Sequence, residues 1–177
     1  MRLFVAVDIG GDVREKLRKP LSEIAKLSGV KAVELENLHI TLLFLGEVPE
    51  AKVPQITQRL SEISFEPFEI RIKGVGAFPN ERSPRVVWAG VEDGGKLKRL
   101  ADEVYDKLRR MGFRRDKEFS AHVTLGRIKR RNEEIKKFLE AYRDEDFGSM
   151  LVDRFKLKQS ILRQQGPIYK DITVFEA

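Results

Sequence analysis

Cysteine is missing from this chain of 177 residues, which excludes a disulfide framework, a thiol nucleophile and a thiolate metal site. Long apolar runs are missing too, and no stretch approaches the roughly 20 residues that cross a bilayer. Met1-Arg2 leads straight into Leu3-Phe4-Val5-Ala6-Val7 without the small-residue cleavage site of a signal peptide, so this run reads as a strand. A cytoplasmic protein without membrane attachment is expected. Asn and Gln are sparse beside Lys, Glu and Arg, a balance found in thermophilic proteins. Walker, Gly-x-Gly-x-x-Gly, His-Glu-x-x-His and Gly-x-Ser-x-Gly patterns are absent. Gly74-Val75-Gly76 is only a fragment of such a pattern and reads as part of a loop.

Histidine is nearly absent, and this scarcity is informative. The two histidines both open the same pattern, His39-Ile40-Thr41-Leu42 and His122-Val123-Thr124-Leu125. With four threonines in the chain, both histidines would have Thr two places on in roughly one of two thousand shuffles, a count that decides against coincidence. The flanks, Leu38 to Leu45 and Ala121 to Leu125, are rich in apolar and β-branched residues and predict two strands. Side chains alternate along a strand. His39 and Thr41 therefore share one face, as do His122 and Thr124, and each strand buries its aliphatic residues on the other.

Net charge is +6 and lies in the second half: residues 1–88 carry 13 basic and 12 acidic side chains, residues 89–177 carry 21 and 16. Such a balance favours a polyanionic partner, because basic side chains neutralise phosphates and release counterions.

The pattern of elements runs twice. A strand Leu3–Ile9 is followed by a helix that starts at Asp12 with a capping-box-like Glu15, buries Val13, Leu17, Leu21 and Ile24, and is kinked by Pro20. A short strand at Lys31–Leu35, the first His strand, a helix marked by Val53, Ile56, Leu60 and Ile63, and a strand Phe68–Ile72 complete the first half. Gly74, Gly76, Phe78-Pro79 and Ser83-Pro84 predict a loop-rich stretch. Then come a strand Arg85–Val91, a helix from Leu97 to Met111, the second His strand, a helix capped by Asn132, a strand at Phe155–Leu157 and a last strand Ile168–Phe175. An offset of 83 relates His39 to His122, Ala6 to Ala89 and Gly29 to Gly112, drifting to 85 at Ile70/Phe155.

The expectation is one α+β domain over 1–177. It is built from two pseudo-symmetric lobes, about 1–84 and 85–177, each an antiparallel sheet with helices on its outer face. The C-terminal strands return to complete the sheets, and the groove between the lobes is faced by both His-x-Thr pairs. Two imidazoles on one site suit general acid–base catalysis near neutral pH, one giving and one taking a proton. Hydroxyls two residues away can donate to phosphate oxygens. A metal site would need further ligands, and neither motif brings Asp or Glu at i±2, so no metal is expected.

On these residues the chain resembles the two-histidine phosphoesterase superfamily, in its LigT-like branch of RNA 2',3'-cyclic phosphodiesterases, also described as 2'-5' RNA ligases. Phe44-Leu45-Gly46, Gly126-Arg127, Phe78-Pro79 with Arg85-Val86-Val87-Trp88-Ala89-Gly90, and Ser160 with Gly166-Pro167-Ile168-Tyr169 extend the resemblance over nearly the whole chain. Ala121 stands where Pro often precedes the second His. The resemblance implies that His39 is the proton donor, that His122 activates water, that Thr41 and Thr124 bind phosphate and that Arg127 clamps charge. Simple strand parity would point Arg127 away from His122, so that role needs a bulge or the strand's end. The implied reaction opens a 2',3'-cyclic phosphate at an RNA 3' end, of a tRNA fragment for instance, leaves a 2'-phosphate and requires no cofactor. Phe44 and Phe78 are candidates for stacking on a base. A monomer is expected. The alternatives are the reverse 2'-5' ligation to a 5'-hydroxyl RNA end, a non-catalytic RNA-binding module, and a small-molecule cyclic phosphodiesterase acting on nucleotides or ADP-ribose derivatives.

Overall fold

The computed structural model describes residues 1–177. Its strands are β1 (Arg2–Asp8), β2 (Val30–Ala32), β3 (His39–Glu47), β4 (Phe68–Phe78), β5 (Val86–Glu92), β6 (His122–Ile128), β7 (Asp146–Val152), β8 (Arg154–Ile161) and β9 (Ile168–Glu176). Its helices are α1 (Gly11–Ala25), α2 (Val53–Ser61), α3 (Lys96–Arg109) and α4 (Glu134–Tyr142). The fold is α+β, with one antiparallel sheet in the order β3-β1-β8-β9 and a second in the order β2-β6-β5-β4-β7. β1 reads as an unbroken apolar run because Leu3, Phe4, Val5, Ala6 and Val7 are all buried, odd residues on one face and even residues on the other.

The sheets do not divide at residues 84/85. β2 and β4, from the first half, lie in the second sheet, while β8 and β9 complete the first. The helices cross over as well: α1, which follows β1 of the first sheet, packs on β2, β6 and β7 of the second, and α3, which follows β5, packs on β3. Forty buried apolar residues form one continuous core that includes both sheets and all four helices.

Several local expectations are corrected. The stretch from Gly74 to Phe78 is not a loop but the continuation of β4 past a bulge between Ile72 and Val75. Gly74 takes φ +73°, and a Cβ there would lie 2.6 Å from the Arg143 carbonyl, so the bulge needs glycine. The short strand is Val30–Ala32, and a 3-10 turn at Leu35–Asn37 replaces the rest of the expected strand. Asp12 does not cap α1, which begins at Gly11 behind Gly10 with no side-chain cap. β7 is an additional strand; only Phe147 and Val152 of its seven residues are buried, which blunts the alternation that would mark it in the sequence. Asn132 does serve as a cap, its Oδ1 accepting the Glu134 N–H at 2.8 Å.

The strand registers define the repeat more sharply than the sequence does. His39, Thr41 and Phe44 stand opposite Asp8, Ala6 and Phe4, while His122, Thr124 and Arg127 stand opposite Gly90, Trp88 and Val86. Equivalents on β3 and β6 are thus 83 apart, but those on β1 and β5 are 82 apart, so Ala6 corresponds to Trp88 and not to Ala89. Phe4 also faces Lys158 as Val86 faces Phe78, which makes Lys158 and Phe78 equivalent and removes the match of Ile70 with Phe155.

Candidate active site

Strands β3 and β6 begin at the two histidines and pack against each other where the two sheets meet. Ile40 and Val123 are fully buried on the helix side, and the histidines and threonines between them are half-buried on the opposite face. Both imidazoles are held in the same way. His39 Nδ1 lies 2.7 Å from the carbonyl of Asn37 and His122 Nδ1 lies 2.8 Å from that of Ser120, in each case two residues upstream. A carbonyl only accepts, so each Nδ1 carries the proton and each neutral ring keeps its basic lone pair on Nε2. At His39 the Nε2 accepts from the Thr41 hydroxyl at 3.0 Å; at His122 the Nε2 has no protein partner.

Asn37, the orienting residue of His39, is itself buried, and its side-chain amide donates to the Pro167 carbonyl at 3.1 Å. This anchors the first histidine to the β8–β9 connection. Tyr169 on β9 presents its ring edge-on to His39 at 5.3 Å, and Phe4 lies 5.2 Å from the same imidazole. In the second sheet Phe78 stands edge-on to His122 at 5.1 Å, with Trp88 5.3 Å behind it. Phe44 is 51% exposed, stacked on Phe4 and capped by Arg2. Phe78, at 37%, is exposed beside its histidine.

Arg127 reaches the face of His122 through a bulge. The pairing of β5 with β6 skips Leu125, so Gly126 faces Val87 and Arg127 faces Val86, in phase with His122 and Thr124. A matching bulge in β3 skips Leu42 and brings Phe44 into phase with His39 and Thr41. The seven sequence candidates, His39, Thr41, Phe44, Phe78, His122, Thr124 and Arg127, are therefore all on the inward faces of the two sheets.

Both histidines titrate below the ordinary imidazole value. Burial is the main cause for each, and the hydrogen bond to the upstream carbonyl opposes it. The charges of Lys158 and His122 push His39 further down while Asp8 pushes it up; Arg127 and Lys117 push His122 down. Each neutral ring is thus a poised base, and negative charge arriving between the two would raise both.

An ionic cluster on the first sheet has no counterpart among the sequence candidates. Lys158, nearly buried, places its Nζ 2.6 Å from Asp8 and 3.1 Å from Asp171, and Lys156 lies 2.8 Å from each of the same carboxylates. Asp8 stands directly opposite His39 across the β1–β3 ladder. The second sheet has Gly90, Gly76 and Phe78 at the positions of Asp8, Lys156 and Lys158. His39 is thus backed by ions as well as aromatic rings, where the equivalent positions behind His122 hold two glycines and Phe78. These residues are scattered over β1, β8 and β9, and only the strand registers bring them together. The convergent groups are imidazoles, hydroxyls and a guanidinium; no three His, Asp or Glu side chains come together as metal ligands do.

Comparison with known proteins shows the family. The family described as LigT like Phosphoesterase matches the chain twice, over residues 8–88 and 90–169. The RNA 2',3'-cyclic phosphodiesterase of Archaeoglobus fulgidus is 60% identical over 176 residues, covering 99% of this chain and 100% of that protein. That of Thermotoga maritima is 38% identical, covering 96% and 92%. Among solved structures, the protein TT0787 of Thermus thermophilus superposes with a TM-score of 0.86 at 33% identity, covering 99% of this chain and 97% of the other. Escherichia coli LigT complexed with 3'-AMP gives 0.82 at 26% identity, covering 99% and 97%.

Proposed function

The chain belongs to the LigT-like phosphoesterases and is an enzyme, and from that premise we propose that it hydrolyses RNA 2',3'-cyclic phosphate termini to 2'-phosphate ends by paired-histidine acid–base catalysis, without a metal. The observation that carries this reading is the shared tautomer of His39 and His122. Each Nδ1 is committed to a backbone carbonyl, which leaves each Nε2 as the working atom. Relatives that are RNA 2',3'-cyclic phosphodiesterases, and a related structure holding 3'-AMP, support the substrate class.

His122 is the base. Its Nε2 is unengaged, so it can accept a proton from water as the oxygen attacks phosphorus. His39, protonated once the phosphate is bound, donates from Nε2 to the departing 3' oxygen, and the bond from phosphorus to that oxygen breaks while the 2' ester remains. Thr41, released from His39 Nε2 when the ring is protonated, donates with Thr124 to the non-bridging oxygens. The Arg127 guanidinium, on the same face, balances the charge that accumulates there. Phe44 and Phe78, both exposed on the inward faces of the sheets, are placed to pack against the terminal base.

The test is hydrolysis of a short RNA ending in a 2',3'-cyclic phosphate, in excess chelator, with the product end identified. Conversion to a 2'-phosphate supports the reading. A 3'-phosphate product, or activity only on restoring metal, contradicts it. Adding a 5'-hydroxyl RNA to the same reaction reports any 2'-5' joining.

A further inference from the structure

At the end of the second sheet, the β4–β5 loop, the β6–α4 loop and helix α4 enclose a cleft of about 720 Å³ that the mechanism does not use. Seven of its fifteen lining residues are Arg or Lys and two are Glu, an excess of five within a chain whose net charge is +6. The two carboxylates are already engaged, Glu81 by Arg143 at 3.0 Å and Glu133 by Arg131 at 3.3 Å. Arg130 donates to the Ser28 hydroxyl, and Arg82, Arg85, Lys129 and Lys136 stand exposed with no carboxylate in ion-pair range. Like charges gathered in a concavity repel one another, and a polyanion relieves that repulsion.

The walls are held in place. Asn80 Oδ1 accepts the N–H groups of Arg82 and Ser83 at 3.0 and 2.9 Å, and the Ile128 N–H donates to the Arg85 carbonyl at 2.8 Å. Ile128, in the cleft lining, is the residue next to Arg127 on β6. It lies six positions along the strand from His122, a span of about 20 Å. That is a distance several linked nucleotides cover and a single nucleotide does not.

We propose that this cleft binds the phosphate backbone of the RNA upstream of its 3' end. The inference rests on the reading of RNA as the substrate, and it makes the enzyme selective for ends of chains over free cyclic nucleotides. An acidic protein segment would also meet the charge, but it has no reason to lie in line with the strand that carries His122, Thr124 and Arg127.

The experiment separates the cleft from the catalytic reading. A labelled RNA of about ten nucleotides that ends in an ordinary 3'-hydroxyl is titrated by fluorescence anisotropy over a series of salt concentrations. The combined variant Arg82→Gln, Arg85→Gln, Lys129→Gln is expected to bind at least about tenfold more weakly at low salt, with a salt slope smaller by about 2 for three lost phosphate contacts. Arg109→Gln, Arg110→Gln, Arg114→Gln, in the separate basic cluster beside Tyr105 and Phe113, removes the same charge and is the control. Equal weakening by the control, or none by the cleft variant, overturns the proposal. With cyclic-ended substrates, the cleft variant also lowers the ratio of kcat/KM for the RNA over that for a cyclic mononucleotide by about tenfold; an unchanged ratio overturns it. Wild type that binds RNA through the cleft but turns over neither substrate leaves the cleft standing and removes the catalytic reading.

Discussion

Arg127 shares a face with His122 only because Leu125 is an extra residue in β6, unmatched on β5. Were Leu125 paired in regular alternation, the guanidinium would stand on the helix side. Arg127→Ala is expected to lower kcat/KM on a cyclic-ended RNA by about a hundredfold, the scale for losing one preorganised donor. Arg127→Lys, which keeps the charge but not the planar fork, is expected to recover only part. Wild-type rates in Arg127→Ala would remove it from the reaction.

The depressed imidazoles set the pH profile. In kcat/KM, which reports the free enzyme, the base limb falls as pH drops through the pKa of His122, and the acid limb falls as pH rises through that of His39. Both lie below the ordinary value of about 6.5. The optimum is therefore expected on the acid side of neutrality, with activity already declining between pH 7 and 8. Stability follows the same sign. The folded state prefers both rings neutral, so that contribution is complete above about 6.5 and is lost as pH falls toward the depressed values. An optimum above pH 8 would contradict this.

Much of this is readable from the chain. The doubled His-x-Thr pattern locates the two strands and their inward faces, because strand periodicity is strict and the helix-side partners are aliphatic. What sequence spacing does not convey is what depends on register. The bulges at Leu42 and Leu125 change parity without any mark in composition. The Asp8–Lys158–Asp171–Lys156 cluster joins three strands that are far apart in sequence. β4 resembles loop from Gly74 on because glycine usually breaks strands, whereas here it permits a bulge and the seating of a Trp ring.

That seating is testable. A Cβ on Gly76 would lie 2.3 Å from the Trp88 ring, and Trp88 stands opposite Thr124. Gly76→Ala is expected to destabilise the fold by about 1–3 kcal/mol through overpacking. It should also shift the fluorescence of Trp88, the chain's single tryptophan. An unchanged spectrum and melting temperature would contradict this packing.

Lys158 holds two carboxylates while itself nearly buried. Lys158→Met should cost about 1.5–3 kcal/mol of stability, the range for a charged hydrogen bond whose partner is left behind. Lys156→Met, at a more exposed site, should cost less. Equal costs in denaturant unfolding would show that the cluster is not centred on Lys158.

The central claim is that the two imidazoles work as a pair. Its most direct measurement is single-turnover hydrolysis of a cyclic-ended RNA in excess chelator by wild type, His39→Ala and His122→Ala. Metal-free conversion by wild type is expected, with a loss of at least about a hundredfold in each variant, the usual scale for a catalytic acid or base. Full activity in either variant would contradict paired-histidine catalysis.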